Sequence, residues 1–310
     1  MKIPLLVIAG PTGVGKTATA VKLAGRVPLE IVSADSRQVY RGMDVATGKP
    51  TVEERALARH HLIDVVAPDD RYHAERFRRE ARAIIADVQA RGRLAVVVGG
   101  TGLYIRALLR GLDPAPPADL EYRRELQGVV SREGSPVLHD RLKREAPELA
   151  RRLHPHDHVR IMRALEVVRA GGPPSRQQWA RHAEDYDVLY VGLTMERDAL
   201  RRRLAERAAG MVEHGLLDEV KTLLAHGYDP SLPSMHGIGY REFVQVAAGT
   251  LDAGEALRRM QRDTMRYAKR QWTWFAGEPD VQWIDVDLGG GAEGVAALVA
   301  EQLERRKLIP

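Results

Sequence analysis

Near the N-terminus, Gly10-Pro11-Thr12-Gly13-Val14-Gly15-Lys16-Thr17 fits the pattern G-x-x-x-x-G-K-[ST] at every fixed position. It follows Ile3 to Ala9, an apolar run without helical period, and precedes the amphipathic stretch Ala18 to Leu23. A glycine turn between a buried strand and a helix is the setting a phosphate loop needs. Glycines let backbone N–H groups converge on phosphate oxygens, and the helix N-terminus adds its dipole. Lys16 brings a point charge, and the Thr17 hydroxyl is a ligand for Mg²⁺. Residues 10 to 17 are therefore assigned to a phosphate chain, with Thr17 on the metal.

This turn predicts an open parallel sheet, and the rest of the chain is consistent with one. Short apolar runs recur at Leu29 to Ser33, His61 to Val66, Leu94 to Val98, Val188 to Leu193 and Val281 to Val286. Helically spaced segments such as Ala74 to Ala90 and Gly102 to Leu109 lie between most of them. The expected class is α/β, a P-loop NTPase-like three-layer core with helices on both faces of a parallel sheet. Asp113-Pro114-Ala115-Pro116-Pro117 and Gly171-Gly172-Pro173-Pro174-Ser175 interrupt the alternation, and the region from 118 to 187 reads as helices without a sheet strand. The expected division is a first core part at 1–117, a helical insertion at 118–187 and core completion at 188–310. The last part carries helices near 196–225 and 253–276, separated by a loop from Tyr228 to Gly239.

With 44% hydrophobic residues the chain can bury a large core, which excludes wholesale disorder. The absence of cysteine removes disulfides, thiolate zinc sites, iron–sulfur clusters and cysteine nucleophiles, and fits a reducing cytoplasm. The N-terminal apolar run is too short to span a bilayer and leads into a glycine loop, so it reads as a strand and not as a signal sequence.

A phosphate loop does not by itself specify phosphoryl transfer. Enzymes that act on nucleoside triphosphates usually add a strand-end carboxylate for magnesium. Here Leu94 to Val98 runs instead into Gly99-Gly100-Thr101-Gly102, with a hydroxyl where that carboxylate is expected. This counts against a small-molecule or nucleotide kinase, one competing class. Asp35 follows the second strand, at the end of the sheet where ligands bind. It can coordinate magnesium through water, cap a helix, or take a proton from a substrate held against the phosphate. Asp64, after His61-Leu62-Ile63, is a weaker candidate of the same kind.

The chain carries 47 Lys and Arg against 42 Asp and Glu, a net charge of +5 that permits a nucleic-acid partner without requiring one. Its placement says more. Between Arg258 and Gln271 stand six cations and one acid, Asp263, an excess equal to that of the whole chain. Arg259, Arg262, Arg266, Lys269 and Arg270 fall largely on one side of a helix, a suitable track for phosphates, although such faces are commonly just solvated. Core packing is the commoner role for the adjoining Tyr267, Trp272, Trp274 and Phe275, with base stacking open to one of them. A non-catalytic RNA-binding protein on this fold is the second competing class.

Taken together the segments resemble the bacterial tRNA dimethylallyltransferase (isopentenyl-tRNA transferase) family over nearly the whole chain. The resemblance rests on the octet at 10 to 17, Ser33-Ala34-Asp35-Ser36-Arg37-Gln38-Val39-Tyr40 with Gly42-Met43-Asp44, and Thr47-Gly48-Lys49-Pro50. It continues through Gly99 to Tyr104, Arg163-Ala164-Leu165-Glu166-Val167, Gly237-Ile238-Gly239-Tyr240 and Thr264 to Phe275. It implies transfer of a dimethylallyl group from its diphosphate to N6 of the adenosine 3′ of the anticodon in tRNA. The octet Gly10, Pro11, Thr12, Gly13, Val14, Gly15, Lys16 and Thr17 would hold the donor's diphosphate with Mg²⁺. Asp35 would be the general base, and Thr101 would lie between donor and adenosine. Arg207, on the helix starting near Arg197, would contact the diphosphate, with Arg203 a close competitor.

The resemblance further implies tRNA contacts at Asp35, Ser36, Arg37, Gln38, Thr101, Arg123, Val159, Arg160, Ile161, Met162 and Arg163. Others are implied at His236, Gly237, Ile238, Gly239, Tyr240, Arg241, Lys269, Arg270, Gln271, Trp272, Thr273, Trp274, Phe275 and Ala276. The adenosine would leave its stack and enter a channel between core and insertion, the donor entering from the opposite end. The insertion would close over the anticodon arm of a substrate bound by a cytoplasmic monomer. Three positions depart from the family pattern: His156 stands where Asn is commoner, Gly48 where Ala is frequent, and His73 where a small hydroxyl residue is usual. None is expected to touch the chemistry. A metal site among His60, His61, His154, His156, His158 and His182 is not expected, since no carboxylate or cysteine has ligand spacing. With no cysteine in the sequence, the zinc-finger extension of eukaryotic relatives is not expected.

Overall fold

Apolar continuity in the strands reflects burial on both faces. The computed structural model describes residues 2–112, 116–172 and 185–309, so Asp113 to Ala115, Pro173 to Ser175 and His182 lie outside the described residues. Strands β1 (Ile3–Ala9), β2 (Leu29–Ser33), β3 (His60–His61), β4 (Leu94–Gly99), β5 (Tyr186–Thr194) and β6 (Gln282–Asp285) pair in parallel in the order β3-β2-β4-β1-β5-β6. In β1, Leu5, Val7 and Ala9 point to one face and Leu6 and Ile8 to the other. Ala95 and Val97 of β4 likewise oppose Val96 and Val98. No position is left for polar alternation, as in other parallel sheets covered on both sides.

Helices α1 (Lys16–Ala24), α2 (Val52–Leu57), α3 (Ala74–Ala90) and α4 (Gly102–Arg110) follow the first strands. After β5 come α9 (Arg197–Glu213), α10 (Leu216–Ala225), α11 (Tyr240–Ala247) and α12 (Ala253–Ala276), and α13 (Gly291–Arg305) closes the chain. Val21 and Leu23 of α1 pack with Val295, Val299 and Leu303 of α13 on one face of the sheet. Phe77, Ala81 and Ile85 of α3 pack with Ile105 and Leu108 of α4 on the other, where Phe275 at the end of α12 joins them. A further core gathers Val39, Tyr40 and Met43 against α10, α11 and the first half of α12 through Leu216, Val220, Phe243 and Met260.

The chain divides into two compact units, Met1–Leu109 with His182–Pro310, and Arg110–Arg181. The second holds α5 (Leu120–Glu133), α6 (Ser135–Glu145), α7 (Pro147–Ala150) and α8 (His158–Arg169), closed around Tyr122, Leu126, Leu138, Leu142, Ile161 and Leu165.

Three local expectations change. The strand expected at His61 to Val66 ends at His61, because Leu62 (φ 62) and Asp64 (φ 58) adopt left-handed backbone, and only Val66 bridges again, to Tyr40. Tyr186 and Asp187, placed in the insertion by sequence, pair with Ile3 and Pro4 as the start of β5. Helix α11 was not expected at all. His73 is the N-cap of α3, its Nδ1 accepting from the Arg76 N–H at 3.3 Å, so the imidazole does the work of a small hydroxyl there. Among the described residues no helix is long and apolar enough to cross a membrane.

Candidate functional site

The phosphate loop owes its shape to glycine and its position to neighbouring elements. Gly10 (φ 141), Gly13 (φ 80) and Gly15 (φ 105) adopt backbone that other residues rarely tolerate. A Cβ on Gly10 would also strike the Leu193 carbonyl of β5. Gly15 is the N-cap of α1 and offers no side-chain cap, so the helix presents its first-turn N–H groups to whatever anion approaches. Pro11 has no N–H, and the Thr12 N–H donates to Gln271 Oε1 at 2.8 Å. The anion-facing amides therefore begin at Gly13. Lys16 donates from Nζ to the Pro11 carbonyl at 2.7 Å. Burial pulls its pKa down to about 8, with the Asp35 carboxylate opposing that fall and Arg207 adding to it.

Asp35, Thr101 and Arg207 meet around this loop from three elements. Beyond β2, Asp35 Oδ1 accepts from the Arg37 N–H at 2.8 Å and, more weakly, from the Gln38 N–H at 3.4 Å. Thr101 Oγ1 accepts from the Ser36 N–H at 3.0 Å, tying the second glycine turn to the Asp35 segment. Gly99 lies so close to the Ala34 carbonyl that a Cβ would not fit. Arg207, from α9, donates from Nη1 to Thr12 Oγ1 at 3.3 Å. Burial depresses its pKa, with Asp35 opposing and Arg203 adding to the fall. Its guanidinium occupies the space a Cβ on Gly48 (φ 57) would take. Gly48, a departure expected to be remote from the chemistry, thus gives Arg207 its place.

Two cavities adjoin here. One, about 360 Å³, is bordered by Lys16, Thr17, Gly48, Arg203 and other residues of the phosphate loop. The other, about 320 Å³, is bordered by Arg37, His236, Tyr240, Arg241, Tyr267 and Arg270. Thr12, Asp35, Thr47 and Arg207 border both, so Asp35 stands at their junction. Tyr267, which the sequence had left among aromatics destined for packing, faces the second cavity. Its hydroxyl is pushed up to about 12, chiefly by burial and then by the Asp35 carboxylate. The available signal was spacing: Met260, Thr264 and Tyr267 follow the i, i+4, i+7 rule on one face of α12.

The expected tRNA-facing residues fall into distinct groups. Arg37 grips the Pro233 carbonyl at 2.9 Å and so holds the turn leading to His236. Gln38 bridges Ser33 Oγ and the Gly48 carbonyl. His236 is exposed, Ile238 is half-buried, and Gly237, Gly239 and Tyr240 are buried, the Tyr240 hydroxyl donating to Glu219 at 2.6 Å. Arg241 pairs with Asp263. On α12, Lys269, Arg270, Trp272, Thr273 and Ala276 are exposed, whereas Gln271 and Phe275 are buried. Trp274 is half-buried beside Gly102, with the Arg106 guanidinium 4.1 Å from its ring centre. Besides accepting from Thr12, Gln271 donates from Nε2 to the Gly100 carbonyl at 3.0 Å, which makes it a strut between both glycine turns. Within the insertion, Arg123 and Arg163 converge on buried Glu166, at 2.5 and 3.1 Å, and Arg163 also donates to the Pro116 carbonyl. Val159 and Arg160 are exposed, Met162 half-buried, and Ile161 lies in that unit's core.

Asp64 is a structural ion-pair partner instead of a crevice carboxylate. It pairs with Lys49 and, at 3.1 Å, with Arg55, where the left-handed turn at Leu62 has carried it off the strand. His61 binds buried Glu30 at 2.7 Å, His60 bonds the Ala58 carbonyl, and the rings of His154 and His156 lie 5.4 Å apart. Among the described residues no three His, Cys, Asp or Glu gather as a metal cage. Thr17 and Asp35 nevertheless share a cavity with the phosphate loop. That sparse oxygen donor set suits Mg²⁺, which keeps several waters and is held by one or two protein groups plus substrate phosphates.

The family model described as IPP transferase matches residues 38–278. tRNA dimethylallyltransferase 1 of Syntrophotalea carbinolica is 50% identical over 285 residues, 91% of each chain. tRNA dimethylallyltransferase 2 of Geotalea uraniireducens is 48% identical over 287 residues, 92% of this chain and 93% of that one. Among solved structures, the full-length tRNA isopentenylpyrophosphate transferase of Bacillus halodurans superposes with a TM-score of 0.72 at 39% identity, covering 99% of this chain and 98% of that one. A eukaryotic dimethylallyltransferase caught acting on tRNA superposes with a TM-score of 0.75 at 28% identity, covering 92% of this chain and 74% of that one.

Proposed function

The chain belongs to the IPP transferase family, and from that premise we propose that it transfers a dimethylallyl group from dimethylallyl diphosphate to N6 of the adenosine 3′ of the anticodon in tRNA. One observation carries the reading: Asp35 stands where a phosphate-loop cavity and a second cavity share their walls. A diphosphate in the first and an adenine in the second bring the allylic carbon and the amine together at Asp35. The anticodon-loop base must leave its stack to get there.

The step balances as a displacement. A bond forms between N6 and the allylic carbon, the carbon–oxygen bond breaks with its electron pair leaving on diphosphate, and one N6 proton goes to Asp35. The Asp35 Oδ1 is already held by backbone amides, so Oδ2 is the proton acceptor. An exocyclic amine is a poor nucleophile because its lone pair is delocalised into the ring, and an aligned base compensates. Charge collects on the diphosphate oxygens as the bond breaks. The amides from Gly13 to Thr17, the Lys16 ammonium and the Arg207 guanidinium face that charge most strongly at the transition state. The Thr17 hydroxyl would hold Mg²⁺, which when bound neutralises part of the diphosphate charge. Thr101, fixed by Ser36, would orient the adenosine beside the donor.

Mass spectrometry of undermodified tRNA after incubation with the protein, Mg²⁺ and dimethylallyl diphosphate tests the proposal. The expected product carries one added five-carbon group on a single adenosine. Folded protein that leaves every adenosine unchanged overturns it, and labelled phosphate on an acceptor after incubation with ATP would establish a kinase instead.

A further inference from the structure

A third cavity, about 1030 Å³, is a groove formed mainly by α9 and α12; it touches the phosphate loop at Pro11 but does not include Asp35, Lys16 or Thr101. Met195, Leu200, Ala205, Met265 and Ala268 give it an apolar lining, and Trp272, 49% exposed, stands at its edge. Seven cations border it and no acid does. Those from α12 are partly neutralised, since Arg262 and Arg266 share Asp263 and Arg258 pairs with Glu255. Arg197, Arg201 and Arg202 of α9 and Lys269 of α12 form no ion pair among the described residues. An ordinary solvated helix face intersperses both signs and covers its apolar residues. No acid lines this groove, and half-buried Met195 and Met265 and exposed Trp272 stay open to it.

We propose that the groove binds single-stranded nucleotides of the substrate RNA flanking the modified adenosine, an extension that rests on the function proposed above. The pairing of chemistries favours RNA: phosphates suit the unpaired arginines, and base faces suit an apolar floor with an exposed indole. Continuity favours it too. Lys269 borders the groove while the adjacent Arg270 borders the Asp35 cavity, so the two recesses lie on either side of one helix. RNA that places its adenosine at Asp35 has α12 as the wall beside it. The basic stripe read from the sequence therefore serves two recesses and is not a single track.

The test is tRNA affinity against salt for the full-length protein, a triple variant Arg197→Ala, Arg201→Ala, Arg202→Ala, and Trp272→Ala alone. Removing three single-strand phosphate contacts should flatten the slope of log Kd against log salt by about 2. Losing a stacked base should weaken binding about 5- to 100-fold, at every salt concentration and without a slope change. The triple variant should retain the wild-type KM for dimethylallyl diphosphate and, at saturating tRNA, the wild-type turnover. Unchanged affinity and slope in both variants overturn the groove as an RNA site. Equal displacement of a fluorescent RNA oligonucleotide from it by polyglutamate overturns it in favour of an acidic protein segment. Wild-type protein that binds tRNA with the expected slope yet transfers no prenyl group would overturn the proposed function and leave the groove standing.

Discussion

In the proposed step Asp35 divides its oxygens between architecture and chemistry, and a single substitution can separate the two. Asparagine keeps an acceptor for the Arg37 and Gln38 amides but cannot take the proton. Asp35→Asn should lower kcat by about 10²- to 10⁴-fold, the usual contribution of a general base, while tRNA affinity stays near wild type. A comparable loss of affinity would make Asp35 a binding residue. Lys16 supplies a pH prediction of definite sign. Its ammonium, depressed to about 8 by burial, is what an anionic ligand meets, so the binding-competent form dominates below pH 8 and drains away above it. Calorimetric affinity for inorganic diphosphate should weaken by up to about tenfold per pH unit above 8 relative to Lys16→Met, which lacks that limb. Matching profiles for the two proteins would remove Lys16 from the diphosphate site.

At the scale of elements, α12 joins the parts of the site, and Gln271 is where it does so. Gln271→Leu keeps the volume but orphans the Thr12 N–H and the Gly100 carbonyl, each at a cost of about 1–3 kcal/mol. A lower Tm and a raised KM for dimethylallyl diphosphate should follow, whereas Gln271→Glu, which still accepts from Thr12, should recover part of the KM. A Tm loss with unchanged KM in Gln271→Leu would reduce the strut to a stabilising role. Sequence showed α12 and α3 at their observed limits through sustained helical periodicity, and the structure adds an N-cap to each, Asp252 and His73. The resemblance pointed to Asp35, Thr101 and Arg207 through their positions in matched segments, and the structure sets Asp35 and Arg207 on the cavity of the phosphate loop. Sequence did not show the end of β3, where two non-glycine residues turn left-handed, or α11, only eight residues long and entered from Gly239. The strut was illegible for a different reason: a glutamine in a basic run looks like surface, and only the close approach of Gly100 shows that it is buried.

At the scale of the molecule, each compact unit has a hydrophobic core of its own. The sheet unit is filled on both faces, while the insertion closes around its own cluster of leucines and Tyr122. Every residue placed around the diphosphate belongs to the sheet unit, whereas Arg123, Val159, Arg160 and Arg163 belong to the insertion. A core defect in the insertion should therefore separate the two substrates. Leu142 is fully buried in that cluster, and Leu142→Ala should cost about 2–5 kcal/mol through lost transfer energy and the cavity left behind. Hydrogen exchange should show lost protection in α5, α6 and α8, with the sheet strands unaffected. Affinity for inorganic diphosphate should hold within about twofold of wild type, since sites with no shared partners are nearly additive. The kcat/KM for tRNA should fall, because the arginines gathered on Glu166 would no longer be held in place. Loss of diphosphate binding in step with tRNA turnover would mean that the units unfold as one, and the insertion would then be part of the sheet unit's stability.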